Sequence, residues 1–243
     1  MPSWTQTLSQ QNQGASAGKL FFPSSFSSVQ YNYIGDSFNR ETLQPSNSYT
    51  LYTLNTVGTG AATLSGAATL DLTTSNTAAD SLDLRTSGFT FDRIFNFNAI
   101  DAKSILNFDL IFQNNSTSNV KGFIGFLDPV TTSITAIPTT TAHLGVYWDT
   151  SVNNDLWLSS ADGSTQTKTD SLSTLSATSK RLNINQTGKD SATINLYDST
   201  FNTLLKSQTV SAYGTNGSKL HIYIETITGA RNMRVLEWGC QIL

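Results

Sequence analysis

The chain has 243 residues and a formal net charge of -3, and only 13% of it is charged, against about 25% in an average globular protein. Its basic residues are scattered, with Lys180-Arg181 the only adjacent pair, which excludes a nucleic-acid partner gripped through its phosphates. No apolar run approaches the roughly 20 residues of a membrane-spanning helix, and the single Cys240 has no cysteine to pair with.

Serine and threonine, a little over a quarter of the residues, take up the charge deficit. Threonine suits a half-exposed pleated surface, and serine and asparagine suit turns. Residues 1–13 carry neither a positive segment nor an apolar one, so no Sec signal peptide is expected there. A hydroxyl-rich surface without disulfides or an export signal fits a virion component assembled in the host cytoplasm and displayed on the virion surface.

Residues 1–48 open with Gln, Ser and Asn and then bring Phe21, Phe22, Phe26, Tyr31, Tyr33 and Phe38 without clean periodicity. Two readings stay open. One is a strand or two of the main domain plus a loose terminus. The other is an extended assembly arm whose six aromatics dock on a neighbouring subunit.

From residue 49 onward, short strands recur. Residues 49–54 form a first strand, and 61–72 repeat Ala-Thr-Leu in the manner of a hairpin. Alternation follows at Leu82/Leu84, Phe89/Phe91, Phe95/Phe97 and Leu106/Phe108/Leu110/Phe112. Residues 122–127 are apolar throughout, as in a strand buried on both faces. Leu144/Val146/Trp148 alternates again. Residues 156–160 then reach Asp162-Gly163, a hairpin signal that predicts a return strand over 165–169. A single helical turn is expected within 171–179. Leu182/Ile184, Ala192/Ile194/Leu196, Leu204/Leu205, Leu220/Ile222/Ile224 and residues 233–243 complete the series, and Cys240 reads as a small core residue of the final strand. Many short strands with frequent turns indicate a sandwich or barrel.

The order of elements resembles the concanavalin A-like lectin/glucanase sandwich, particularly the non-catalytic versions found in phage and other viral proteins. The resemblance covers residues 49–243. It rests on Phe89-Thr90-Phe91, Gly122-Phe123-Ile124-Gly125-Phe126, Leu144-Gly145-Val146-Tyr147-Trp148-Asp149, the strands at 181–185 and 192–197, and residues 219–230 before the closing strand. It implies an all-β fold of two antiparallel sheets packed as a jelly roll; residues 1–48, read from composition as an N-terminal arm, lie outside the match.

Catalytic members of that family carry Glu-x-Asp-x-x-Glu, whose paired carboxylates act as nucleophile and acid when about 5–5.5 Å apart. The only glutamates here are Glu41, Glu225 and Glu237, and none stands at that spacing, so no enzymatic activity is expected. His143 and His221 are the only histidines, too few for a multi-histidine zinc site, and both read as hydrogen-bonded strand residues. Residues 149–155 gather oxygen ligands of the kind Ca²⁺ prefers, but their spacing matches neither an EF-hand nor the legume-lectin metal pattern. A solvated turn is the better reading, and no cofactor or metal is expected.

A glycan site would stack an aromatic ring on a sugar and add amide or carboxylate hydrogen bonds. Neighbouring strand residues face opposite ways. Trp148, which shares parity with Leu144 and Val146, should therefore be core and Tyr147 exposed. Trp157, between Leu156 and Leu158, is exposed by the same logic. Tyr147 and Trp157 with Asn153, Asn154 and Asp155 are the candidate site. The functional expectation is a virion surface subunit (a capsid decoration, turret or fibre-associated protein) that forms homo-oligomers and contacts other capsid subunits through its arm. The alternative is a lectin-like module that reads cell-surface glycans.

Overall fold

The computed structural model describes residues 32–38, 52–65, 68–86, 106–128, 131–188, 191–211 and 219–242. Within them lie fifteen strands and no helix. They are β1 (Asn32–Asp36), β2 (Tyr52–Val57), β3 (Ala61–Ser65), β4 (Thr69–Thr73), β5 (Ser81–Thr86), β6 (Leu106–Asn114), β7 (Val120–Leu127) and β8 (His143–Asp149). β9 (Asp155–Ala161), β10 (Gln166–Thr174), β11 (Lys180–Gly188), β12 (Ser191–Tyr197), β13 (Leu204–Val210), β14 (Lys219–Thr226) and β15 (Asn232–Ile242) follow.

The strands form two antiparallel sheets. Sheet A runs β13-β12-β11-β6-β15-β4-β3, and β1 pairs with the second half of β15. Sheet B runs β10-β9-β8-β7-β14-β5-β2. The alternation predicted from sequence sets the packing: Leu144, Val146 and Trp148 of β8, Leu156 and Leu158 of β9, and Ile222 and Ile224 of β14 turn inward. There they meet Phe108, Leu110 and Phe112 of β6 and Leu182 and Ile184 of β11. Trp148 stacks on Phe112, with centroids 5.9 Å apart and planes 4° off parallel. Cys240 joins the same core, as its parity predicts, and burial pushes its thiol far up from the ordinary value. Along one side Gln208 of β13 donates from Nε2 to Ser160 Oγ (3.0 Å) and to the Thr167 carbonyl (3.3 Å), tying the two sheets together.

β7 is buried on both faces. Val120, Ile124 and Phe126 enter the core, while Phe123 and Leu127 point away from it and are still wholly buried. Their cover is the β7–β8 connection. Within it Ile134 packs on the outward cluster of Phe123, Leu127 and Tyr223. The Ile134 amide donates to Asp83 Oδ2 (2.9 Å), and Asn55 Nδ2 donates to the Thr132 carbonyl (3.3 Å). Residues 131–142 thus form a strap over the outer face of sheet B.

Several local expectations change. Of the strand expected over 49–54, residues 49–51 lie outside the described residues and the rest falls in β2; β10 continues to Thr174, so the helical turn expected within 171–179 is absent. In its place β10 has an irregularity, a register shift between Asp170 and Thr174 with Leu172 at φ 57°.

The two open readings of residues 1–48 also divide. Phe21, Phe22, Phe26 and Tyr31 lie outside the described residues. Tyr33 sits in β1, paired with Gln241, so this stretch is a strand of the sandwich. Phe38 is fully buried in the main core, 6.3 Å from the Tyr52 ring. An aromatic that fills its own core is not an anchor for a neighbour. The boundary expected at residue 48 therefore leaves β1 and Phe38 on the wrong side. Residues 87–105, with Phe89, Phe91, Phe95 and Phe97, also lie outside the described residues.

Candidate functional site

Sheet register lines up outward-facing side chains across sheet B. Asp170 of β10 pairs with Trp157 of β9, Trp157 with Tyr147 of β8, Tyr147 with Phe123 of β7, and Phe123 with Tyr223 of β14. Four aromatics thus stand side by side on adjacent strands. The strap covers Phe123 and Tyr223 and leaves Tyr147 and Trp157 half-buried at its margin. Those two rings stack, with centroids 6.4 Å apart and an interplanar angle of 18°.

Around the pair is an open cleft of about 230 Å³. It is lined by Ile137 and Thr139 of the strap and by Gln166 and Lys168 of β10. Asp149 at the end of β8 and Val152 and Asn153 of the turn that follows line it as well. Trp157 Nε1 donates to Asn153 Oδ1 (3.2 Å), which fixes the indole. Asn153 Nδ2 donates in turn to Asp155 Oδ2 (2.9 Å), and the Asp155 amide returns to Asn153 Oδ1 (3.2 Å). Lys168 Nζ stands 5.4 Å from the Trp157 ring centroid, within reach of a cation–π attraction. Burial, and then the charges of Asp149 and Asp170, push the Tyr147 hydroxyl up from its ordinary value, so it stays protonated and able to donate.

Of the residues expected from sequence, Tyr147, Trp157 and Asn153 come together in the cleft. Asp155 stands behind them and orients Asn153. Asn154 does not join: its side chain is exposed and its carbonyl accepts from the Leu175 amide (2.6 Å). The oxygens weighed as calcium ligands serve the turn, with Asp149 Oδ1 accepting from the Ser151 amide (2.9 Å) and hydroxyl (2.6 Å). Gln166 and Lys168 escaped the sequence reading. Their parity could have found them, because the Asp162-Gly163 hairpin places Gln166 opposite Ala161 and Lys168 opposite Ser159, on the face that Trp157 shares. No comparable signal exists for the strap residues.

Several other chemistry-bearing side chains among the described residues are engaged structurally. Tyr223 Oη donates to Glu225 Oε2 (2.7 Å), and Lys121 Nζ meets Glu225 Oε1 (2.9 Å). Glu225 lies on the outer face of sheet B and Glu237 on that of sheet A, as their registers with Lys121 and Ile111 require. The thickness of the sandwich separates these carboxylates, so they do not form a glycosidase pair. His143 Nδ1 lies 2.6 Å from the Thr141 carbonyl and Nε2 2.7 Å from Ser159 Oγ, which suits a neutral ring donating from Nδ1. Among the described residues no cluster of three or more His, Cys, Asp or Glu could hold a metal ion.

No protein-family model matches the sequence, and no curated protein matches it. Solved structures do match. A protein of unknown function from Shewanella oneidensis MR-1 aligns over 100% of this chain and 94% of its own, at 15% identity and TM-score 0.60. The winged bean acidic lectin complexed with methyl-alpha-D-galactose aligns over 88% of this chain and 98% of its own, at 7% identity and TM-score 0.56. Botulinum neurotoxin type C, whose cell entry depends on two ganglioside molecules, aligns over 86% of this chain and 47% of its own, at 12% identity and TM-score 0.54. At these identities the likeness defines the fold, an all-β lectin-type sandwich.

Proposed function

We propose that this chain is a carbohydrate-binding module that holds a glycan in the Tyr147–Trp157 cleft. One observation carries the reading: two stacked aromatics, the indole pinned by Asn153, stand half-buried in a groove that also offers Asp149, Gln166 and Lys168. Aromatic faces and edges match the apolar C–H patches of a sugar ring, and the amide, carboxylate and ammonium groups match its hydroxyls. Asp149 is the one carboxylate among the residues that line the cleft. The reading is supported by two neighbours of the same fold, one solved with methyl-alpha-D-galactose and one that depends on gangliosides. The test is a glycan array probed with the full chain, Tyr147→Ala and Trp157→Ala. Binding lost in both variants at unchanged melting temperature supports the site, and equal binding by all three removes it.

The virion-surface reading is a separate proposal, resting on the hydroxyl-rich, sparsely charged composition. Its assembly element would lie in residues 1–31. Light scattering of the full chain against a chain beginning at Asn32 tests it: a discrete oligomer that falls to monomer supports it, and two monomers remove it.

A further inference from the structure

We infer that the strap of residues 131–142 is a specificity element that limits the cleft to the uncharged terminal sugar of a glycan and keeps internal stretches of polysaccharide off sheet B. The inference rests on the glycan reading and goes on to name the part of the ligand that enters.

Without its cover, the row Trp157, Tyr147, Phe123 and Tyr223 would be a continuous aromatic track across β9, β8, β7 and β14. Such a track could seat successive rings of a long chain. The strap removes half of it, because Phe123 and Tyr223 are both 0% exposed with Ile134 packed against them. Strap residues Ile137 and Thr139 line the cleft itself, and Ile134 of the same strap covers Phe123, the next aromatic of the row. A separate hollow where the strap meets β2 and β5, lined by Ser133, Ile134, Thr135, Asn55 and Ser81, has no aromatic platform. A chain entering the cleft would therefore meet a wall where its next residue should lie. The cleft's volume is below the roughly 300–1,000 Å³ of drug-sized sites, which suits one ring.

The strap is held firmly enough for this role. Its Ile134 amide is tied to buried Asp83, its Thr132 carbonyl to Asn55, and Thr141 to the ring of His143. The charges point to a neutral ligand. Lys168 is matched in the lining by Asp149, and Asp170 adds a second negative charge near the Tyr147 hydroxyl. An acidic sugar gains nothing net from that field.

The experiment is an array of neutral oligosaccharides immobilised by their reducing ends. Each is present with a free non-reducing end, with that end extended by one neutral sugar, and with it capped by sialic acid. For any sequence that binds, the expected result is a loss of about tenfold or more in affinity on either modification. Extended or sialylated forms bound within about threefold of the free end would overturn the inference and leave the glycan reading standing. No binding by any form, or binding unchanged in Tyr147→Ala, would overturn the glycan reading and this inference together. Ile134→Gly, checked by a thermal melt, tests the strap itself. Regained binding of the neutral extended forms is expected, and undiminished discrimination in a folded variant would refute the strap's part. Should that variant fail to fold, the array with the unaltered chain still decides whether only ends are read.

Discussion

His221 Nδ1 stands 2.9 Å from Asp83 Oδ1 across β14 and β5, with both side chains buried in the outer face of sheet B. The second oxygen of Asp83 accepts the Ile134 amide. One carboxylate thus joins the sheet to its strap. Asp83→Ala leaves a buried imidazole and a strap amide without their acceptor, at a cost of roughly 2–5 kcal/mol. Urea unfolding measures it, and a change below about 1 kcal/mol would contradict the anchoring role.

Asp109 and Arg181 make the corresponding pair on sheet A, 2.8 Å apart, with the carboxyl buried. Burial pushes the Asp109 carboxyl up from its ordinary value, while Arg181 and Asn183 hold it partly down. Removing the guanidinium as Arg181→Met should cost about 3–5 kcal/mol at neutral pH. A raised carboxyl binds its proton in the folded state before the unfolded one does. Its contribution to stability is therefore greatest below pH 3.8 and falls as pH rises through the folded value. The variant, with that value raised further, should lose least in acid and most at pH 7. A loss independent of pH would contradict this.

His143 acts in the opposite sense. Burial lowers its pKa from the ordinary 6.5, outweighing the bond to Thr141. As pH falls below 6.5 the unfolded chain takes up a proton that the folded ring refuses, so stability declines until the folded value is reached. His143→Gln should flatten the stability profile between about pH 7 and pH 5. Parallel profiles for variant and wild type would argue against it.

Gly122 of β7 lies under Trp148, and a Cβ there would overlap the indole ring. Gly122→Ala forces one of the two largest core side chains to shift, at a cost of about 1–3 kcal/mol. Thermal unfolding read by near-ultraviolet circular dichroism would show a lower midpoint and a weakened tryptophan signal. An unchanged midpoint would mean that the core yields more easily than this packing implies.

Truncation separates the first described strand from what precedes it. A chain beginning at Asn32 keeps β1 and Phe38 and should melt near the full-length temperature. A chain beginning at Ser46 loses the β1–β15 pairing and leaves a void beside Tyr52, and should melt several degrees lower. Equal midpoints would make β1 dispensable.

Local pattern made much of this architecture readable. Parity alone separated buried Trp148 from half-exposed Tyr147, the unbroken apolar run at 122–127 announced a strand covered on both faces, and Asp162-Gly163 located a hairpin. What escaped depends on residues far apart in the chain. Asp83 and His221 are separated by 138 positions, and no short motif marks a pair brought together by sheet order. The strap, polar and without period, looked like any loop, yet it decides which aromatics on the row stay open. Phe38 read as an arm residue because nothing local ties it to Tyr52, the core partner that follows it well along the chain.

The order of strands has a consequence for synthesis. β15 lies between β6 and β4, and β14 between β7 and β5. The segments that leave the ribosome latest among the described strands thus occupy the middle of the two sheets. Until they emerge, β4, β5, β6 and β7 each present an unpaired edge, and the two halves of each sheet stay unjoined. Contacts of such long sequence separation form slowly. The nascent chain therefore passes through a sticky, two-halved stage that the finished sandwich conceals, and a chaperone that shields bare strand edges would act at that point.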